Sequence, residues 1–543
     1  MKPEHLYRLI FALIVAGGLA LRLPRLELRP MHGDEAVHAV KFETLWQTGD
    51  YVYDPHEYHG PVLYYATFPF VWLSGAQSLA ELDEQTLRVG PALFGAGIIA
   101  LLLLLLDGLG WRVVLATAAL TAVSPIMTFY SRYYIQEMLL AFFALLVICA
   151  GWRYWQTGNP GWALLGGVGV GLMHATKETS IISLGCMAAA LGVVAVWQRR
   201  SGTKERAGEE PEKGIEGSRD RGIKKNVVVW GDLVVAAGVA ILVSVLFYSA
   251  FFRHWRGPLD SVLTYATYFE RAGGHGLHDH PWYYYLQMLG FTHLARGPWW
   301  SEGLILGLAL AGIGVAVTGA GLSDQPRRLG LVRFIAVYAV LMTVVYSVIP
   351  YKTPWCAVQF VQPLIMLAGL GAVGIISWVK PWPAKAVAAV ILLAGAAHLG
   401  WQAQRANFRF FVDYRNPYVY AHPLGDVKYL SAYLEKLADV HPDGYRMLVK
   451  VIAEDAWPLP WYLRGFERVG YWEAPPAELD APVVIVAGDL AASLPAGFEN
   501  DYEISFYGLR PDIQLVTYVE RELWQEFARR QEHLAPGPVR ERE

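Results

Sequence analysis

Cysteine is nearly absent from this chain: Cys149, Cys186 and Cys356 are the only three in 543 residues, and each falls inside an apolar stretch. No Cys-x-x-Cys spacing occurs, so a disulfide framework and a cysteine metal site are both excluded, and the three read as small buried hydrophobes. Charge is scarce as well. Asp, Glu, Lys and Arg make up 17% of the residues and nearly cancel, leaving a formal net charge of −3. No basic face stands out, which argues against a nucleic-acid partner. In place of charge there are 54% hydrophobic and 13% aromatic residues, the composition of a chain that crosses a membrane many times. The first apolar run, 6–23, lacks a small-residue cleavage pattern at Leu23-Pro24-Arg25 and reads as a retained anchor. The chain carries no internal repeat.

Crossing a hydrocarbon core of about 30 Å takes about 20 apolar residues. Eleven segments qualify: 6–23, 88–107, 112–130, 135–155, 161–176, 179–197, 227–251, 303–321, 331–349, 355–378 and 384–401. The linker 198–225 holds the strongest basic cluster (Arg199, Arg200, Lys204, Arg206, Lys213, Arg219, Arg221, Lys224 and Lys225) and is expected on the cytoplasmic side, with the N-terminus. An even number of spans must then separate the two. The ambiguous segment 61–79 is therefore assigned to the interface as a juxtamembrane helix. This parity places the loops 24–87, 131–134, 252–302 and 350–354 outside, together with the tail from about 402.

The expected fold is mainly α: a polytopic membrane domain over 1–401, followed by a small extracytoplasmic α/β domain over 402–543. In the tail, 426–440 has the period of an amphipathic helix. Short apolar strands are expected at 447–452, 483–486 and 514–519, and a final helix at 522–530. This domain either selects an acceptor or caps a site.

The unusual polar motifs all fall on the outer face in this topology. Met31-His-Gly-Asp34-Glu35-Ala-Val-His38 follows the first span, and Asp54, His56, Glu57 and His59 precede Gly60-Pro61. Ser131-Arg132-Tyr133-Tyr134-Ile-Gln136-Glu137 opens the fourth span, and His174-Ala-Thr-Lys177-Glu178-Thr179 links the fifth and sixth. Glu270-Arg271 with His275, His278 and His280 lies in 252–302, and Pro350-Tyr-Lys352-Thr-Pro-Trp355 between the ninth and tenth spans. Charged groups beside a bilayer are costly and tend to be kept for chemistry. Carboxylates, cations and aromatics on one face suit transfer of a sugar from a lipid phosphate. An acceptor hydroxyl needs a carboxylate base, while the departing phosphate needs cations and no protonating acid. Arg132, Lys177, Arg271 and Lys352 are the candidate phosphate contacts, although each long cationic side chain can equally be snorkelling to the interface. His56, Glu57, His59, Tyr64, His280 and Trp355 are candidate substrate contacts. His56 and His59, or His275 and His278, form either a site for a divalent metal such as Zn²⁺ or plain hydrogen-bonding groups.

These residues resemble the GT-C membrane glycosyltransferases, in the branch of protein O-mannosyltransferases and lipid A aminoarabinose transferases. An acidic pair follows the first span (Asp34-Glu35), Tyr134-Ile-Gln-Glu137-Met-Leu139 opens a later helix, and Thr176-Lys177-Glu178 forms a turn. Together with Tyr58-His-Gly-Pro-Val-Leu-Tyr64 and Tyr351-Lys-Thr-Pro-Trp355, the set is similar to a prokaryotic subgroup labelled flippase-activity-associated and found with archaeal N-glycosylation pathways. The resemblance implies an inverting transferase that takes a polyprenyl-phosphate sugar to a hydroxyl acceptor on the outer face of the cell membrane. It implies Asp34, beside Glu35, as the base or acceptor-orienting carboxylate and Glu137 as a second acid at the reaction centre. Glu137 stands where relatives commonly have Asp. A lipid-linked-sugar flippase and a non-catalytic assembly factor of a glycan pathway are the competing readings.

Overall fold

The computed structural model describes residues 3–56, 59–206, 219–273, 276 and 278–534. Among them, eight helices are long and apolar enough to cross a membrane: Pro3–Arg22, Glu84–Leu109, Glu137–Thr157, Ser180–Arg200, Trp230–Tyr248, Pro326–Val348, Pro354–Trp378 and Trp382–Phe408. A ninth is counted if the bent pair Trp111–Val123 and Pro125–Ser131 forms one span. The remaining two apolar segments are helical but short, Pro160–Thr176 with 17 residues and Gly303–Thr318 with 16. The chain is thus a multi-pass membrane protein whose helices coincide with the apolar runs; among the described residues, eight of the eleven expected spans, or nine with the bent pair, are helices of full membrane length.

The expected continuous span 112–130 is broken by 60° at Ser124-Pro125. Proline has no N–H and its ring clashes with the preceding turn, so a helix cannot run through it unbent. Pro125 instead starts a new helix, capped by the Ser124 side chain. The break is held from outside. Glu302, buried ahead of the helix Gly303–Thr318, accepts hydrogen bonds from the Ser124 hydroxyl at 2.6 Å, the Ile126 N–H at 2.8 Å and the Tyr418 hydroxyl at 2.9 Å.

By contact, the chain divides into two compact units, Met1–Leu26 with Thr48–Phe70 and Gln85–Tyr420, and Glu27–Gln47 with Val71–Glu84 and Ala421–Glu543. The first is the helical membrane unit. Its tightest seam joins Gly303–Thr318 to the helix Val358–Trp378, where a Cβ on Gly371 would fall 2.0 Å from the Leu308 carbonyl oxygen. Only glycine lets the backbones approach so closely, as is common between membrane helices. The helix Val62–Ser74, with Pro69 inside it, has 13 residues and is too short to span a bilayer. The region 252–302 is more ordered than a loop. It contains the helices Gly257–Gly273 and Tyr284–Gly290 and a small antiparallel pair, β1 (Thr292–His293) and β2 (Trp299–Trp300).

The second unit contains a five-stranded sheet. Its strands are β3 (Val449–Ile452), β4 (Val469–Trp472), β5 (Val483–Ala487), β6 (Tyr502–Arg510) and β7 (Ile513–Glu520), in the order β4-β3-β5-β7-β6. β3 pairs in parallel with β4 and β5, whereas β7 runs antiparallel to both β5 and β6. Every residue of β3 and β5 is buried, and each Val or Ile so buried contributes about 1.5–3 kcal/mol. The helix Asp426–Ala438 buries Val427, Leu430, Leu434 and Leu437, which recur at the helical period and form its core face. The expected tail elements are all present. β4 and β6 are additions that the sequence pattern does not announce: β4 contains Gly470, and β6 alternates polar with apolar residues and is bent near Gly508.

Candidate active site

The acidic pair divides into two different roles. Glu35 is fully buried, and Arg29 Nη2 donates to both of its oxygens at 3.0 Å. It also accepts the His32 N–H at 2.9 Å, which holds the turn that opens the helix Gly33–Thr48. Asp34, in the first turn of the same helix, leaves 51% of its side chain exposed. Asp34 is thus presented to solvent at the N-terminus of the helix, where the helix dipole favours an anionic group. Its backbone N–H donates to His32 Nδ1 at 3.1 Å, so that nitrogen acts as the acceptor of the ring. The His32 ring lies 5.1 Å from that of His422, and the Met31 N–H donates to the Tyr462 hydroxyl at 2.9 Å.

In the membrane unit, Arg132–Gln136 forms a fully buried turn that delivers Glu137 to the start of the helix Glu137–Thr157. Lys177, in extended backbone at the end of the helix Pro160–Thr176, forms a buried ion pair with Glu137. Gln359 donates to the Glu137 carbonyl at 2.8 Å. Burial works against the Lys177 charge, but Glu137, with Cys356 and Glu178, outweighs it and holds the ammonium above its ordinary range.

Glu178, quoted within the Thr-Lys-Glu turn but given no role there, is the hub of a second network. Its carboxylate accepts from the Tyr53 hydroxyl at 2.7 Å and pairs with His59 Nδ1 at 2.7 Å. Gly60 makes this possible, because a Cβ there would fall 2.2 Å from the Ala175 carbonyl oxygen. The His59-Gly60-Pro61 segment can therefore lie flat against the end of the helix that carries Lys177. Burial opposes the Glu178 charge, yet His59 and the hydrogen bond from Tyr53 lower its pKa from 4.5 to about 2. A depressed carboxylate stabilises the fold above its unfolded value and loses that contribution as pH falls through the folded one. Acidification from pH 4.5 to 2 should therefore cost wild type about 3 kcal/mol more than Glu178→Gln. Denaturation of the detergent-solubilised proteins across that range checks this; parallel curves would show that the pairing carries no such energy.

The other candidates are placed differently. Arg132 donates to the carbonyls of Arg22, Pro24 and Arg25 at 2.7–2.8 Å and lies over the Phe408 ring, so it caps the end of the helix Pro3–Arg22. Lys352 is buried, and its ammonium donates to the His280 carbonyl at 2.9 Å and to the Ile349 carbonyl. Backbone bonds from His280 to Pro350 and from Lys352 to His278 tie these two loops together. Around them lie aromatic and imidazole rings, half-buried except for the buried Trp355. His280 stacks on Tyr284 with centroids 4.2 Å apart, His278 Nδ1 meets the Tyr420 hydroxyl at 2.5 Å, and Trp355 lies 5.8 Å from Tyr420. Burial, with Lys352 and His278 nearby, holds the His280 imidazole below its ordinary range. Tyr64 is fully buried against Tyr51 and serves as core. His56 is exposed.

Glu57 and His275 lie outside the described residues, as does the side chain of Arg271. Among the described residues, no group of three or more His, Cys, Asp and Glu is placed to hold a metal ion. Two residues with consequences for these sites, Glu302 and His422, carry no motif. A lone carboxylate directly before the apolar run 303–321 was the available signal for Glu302.

With these sites in view, residues 35–253 match the family model of dolichyl-phosphate-mannose-protein mannosyltransferase, a match that begins at Glu35 and includes Glu137, Lys177 and Glu178. No curated protein sequence matches the chain. Among solved structures, ArnT from Cupriavidus metallidurans is similar over 94% of this chain and 98% of its own, with a TM-score of 0.59 and 16% identity. The same protein bound to undecaprenyl phosphate gives a TM-score of 0.58. The oligosaccharyltransferase AglB from Archaeoglobus fulgidus, in complex with an inhibitory peptide and a dolichol-phosphate, is similar over 96% of this chain and 77% of its own, with a TM-score of 0.52 and 13% identity. The chain therefore has the GT-C membrane glycosyltransferase fold, with residues 35–253 as its mannosyltransferase-like part.

Proposed function

We propose that the protein transfers a hexose or pentose from a polyprenyl-phosphate-linked donor to a hydroxyl acceptor (protein, lipid or glycan) at the outer face of the cell membrane, inverting the anomeric carbon. The observation that carries this reading is the contrast within Asp34-Glu35. One carboxylate is sealed into an ion pair, and its neighbour is held out, half exposed, at the start of a helix. Asp34 acts as the base. It takes the proton of the acceptor hydroxyl as that oxygen bonds to the anomeric carbon. The bond from that carbon to the lipid phosphate breaks, and the polyprenyl phosphate departs with the electron pair. A cation, not an acid, is needed there, and Lys177 supplies it, with Glu137 fixing its position. The likeness to solved structures that hold undecaprenyl phosphate or dolichol-phosphate supports a donor of this class.

The test is a reconstituted transfer assay. Proteoliposomes are given polyprenyl-phosphate donors labelled in the sugar, mannose and aminoarabinose among them, together with a membrane and protein extract as acceptor. The expected result is label leaving the lipid fraction, release of unglycosylated polyprenyl phosphate and appearance of label in an acceptor. If no donor is discharged while a fluorescent donor equilibrates across the bilayer, the protein is a lipid translocator and the transferase reading fails.

A further inference from the structure

The turn that presents Asp34 is built partly by residues some 390 to 430 positions away in sequence. Glu27–Gln47 and Ala421–Glu543 belong to one compact unit, and three tail residues reach the turn at successive positions. The Met31 N–H, which is buried, donates to the Tyr462 hydroxyl at 2.9 Å. That hydroxyl in turn donates to Glu84 at 3.4 Å, as does the Trp461 indole at 3.3 Å, so the phenol is fixed from behind. The His32 ring, which receives the Asp34 N–H, lies against the buried ring of His422 at a tilt of 58°. A Cβ on Gly33 would lie in ordinary contact, 3.6 Å from Trp457 Cβ, so Trp457 backs the turn at its third residue. From the other side, Glu35 and Arg29 close the turn with the His32 N–H. Residues 31 and 32 thus contact the tail through Tyr462 and His422, Trp457 lies behind Gly33, and residue 34 presents a half-exposed carboxylate 3.7 Å from His32 Nδ1.

We propose that Tyr462 and His422 are positioning residues for Asp34, so that the tail belongs to the catalytic apparatus. This rests on the assignment of Asp34 as base under the proposed function. Neither residue needs to touch substrate: a base must sit within hydrogen-bond reach of the proton it removes, and a displacement of about 1 Å can cost about 10²-fold in rate. An unpartnered Met31 N–H or a rotated His32 ring would allow a displacement of that kind.

The experiment is a double-substitution cycle on the full-length protein in proteoliposomes, with Tyr462→Phe, Asp34→Asn and both together. Tyr462→Phe removes the acceptor of the Met31 N–H and keeps the ring. The expected result is a 10- to 100-fold loss of kcat with donor KM changed less than twofold. No further loss should follow when Tyr462→Phe is added to Asp34→Asn, because groups that act through one residue are not additive. Thermal unfolding of the same samples reports the folded fraction. Equal fold-losses from Tyr462→Phe in both backgrounds, or none in either, would overturn the proposal. Should Tyr462→Phe fail to accumulate, His422→Asn carries the same cycle with the same two outcomes. If Asp34→Asn itself leaves transfer unchanged, the assignment of the base fails first, and a loss seen only with Tyr462→Phe would then belong to the structure of the tail.

Discussion

Asp34→Asn should lower sugar transfer by about 10²- to 10⁴-fold, the usual worth of a general base, while leaving the stability of the solubilised protein within about 0.5 kcal/mol. The two effects separate because the bonds that build the turn are not made by the Asp34 side chain. The bond to His32 Nδ1 comes from the Asp34 backbone, and the closure around residue 32 belongs to Glu35. Asparagine keeps the shape and cannot take a proton. The neighbouring residue is the internal control. Glu35→Gln leaves Arg29 buried without its counter-charge, a loss of about 3–5 kcal/mol, and should appear as poor accumulation and a lowered unfolding midpoint. Transfer per folded molecule and the midpoint, measured on both variants, make the comparison. If Asp34→Asn costs stability and spares turnover, the roles given to the two carboxylates are reversed.

Much of the fold was legible because a membrane imposes a simple rule: apolar runs of sufficient length become helices that satisfy their own backbones. What the rule misses is local. Ser124-Pro125 lies inside one such run, and nothing in hydropathy marks the 60° break or the carboxylate of Glu302 that holds it. In the tail, β3 and β5 were visible as short apolar runs, while β4 and β6 were not: β4 is a four-residue strand interrupted by Gly470, and the polar–apolar alternation of β6 is broken at Gly508.

The candidate site was legible as residue types and less so as roles. Asp34 and Glu35 are adjacent acids in the sequence. What distinguishes them is Arg29 folding back onto one of them, and that depends on a turn whose supports include Tyr462 and His422. Arg132, Lys177 and Lys352 were three equivalent cations at helix ends. The structure gives Arg132 and Lys352 to backbone carbonyls and pairs Lys177 with a carboxylate. Glu178 meets Tyr53 and His59 across more than a hundred residues of sequence, a distance no local spacing can encode.

The Glu137–Lys177 pair gives the second large effect. Lys177→Met should destabilise the membrane unit by about 3–5 kcal/mol, since it strands a buried carboxylate, and a loss of that size is a large share of a total stability of about 5–15 kcal/mol. Inactivity of this variant alone would say nothing about chemistry. Glu137→Gln combined with Lys177→Met removes both charges, and buried pairs replaced by neutral groups of similar volume are often neutral in stability. Gln359 donates to the backbone carbonyl of residue 137, so that bond survives the exchange. The double variant should therefore regain an unfolding midpoint near wild type. Transfer should stay depressed by at least 10²-fold, because no ammonium remains to receive the charge of the departing phosphate. Nor should pH imitate the substitution. Burial would discharge an isolated lysine, but Glu137 holds this one above its ordinary range, so the cation persists across any working pH. Midpoints and initial rates on the three proteins decide the matter. A double variant that recovers both stability and transfer would make the pair a structural clasp and move the phosphate contact elsewhere.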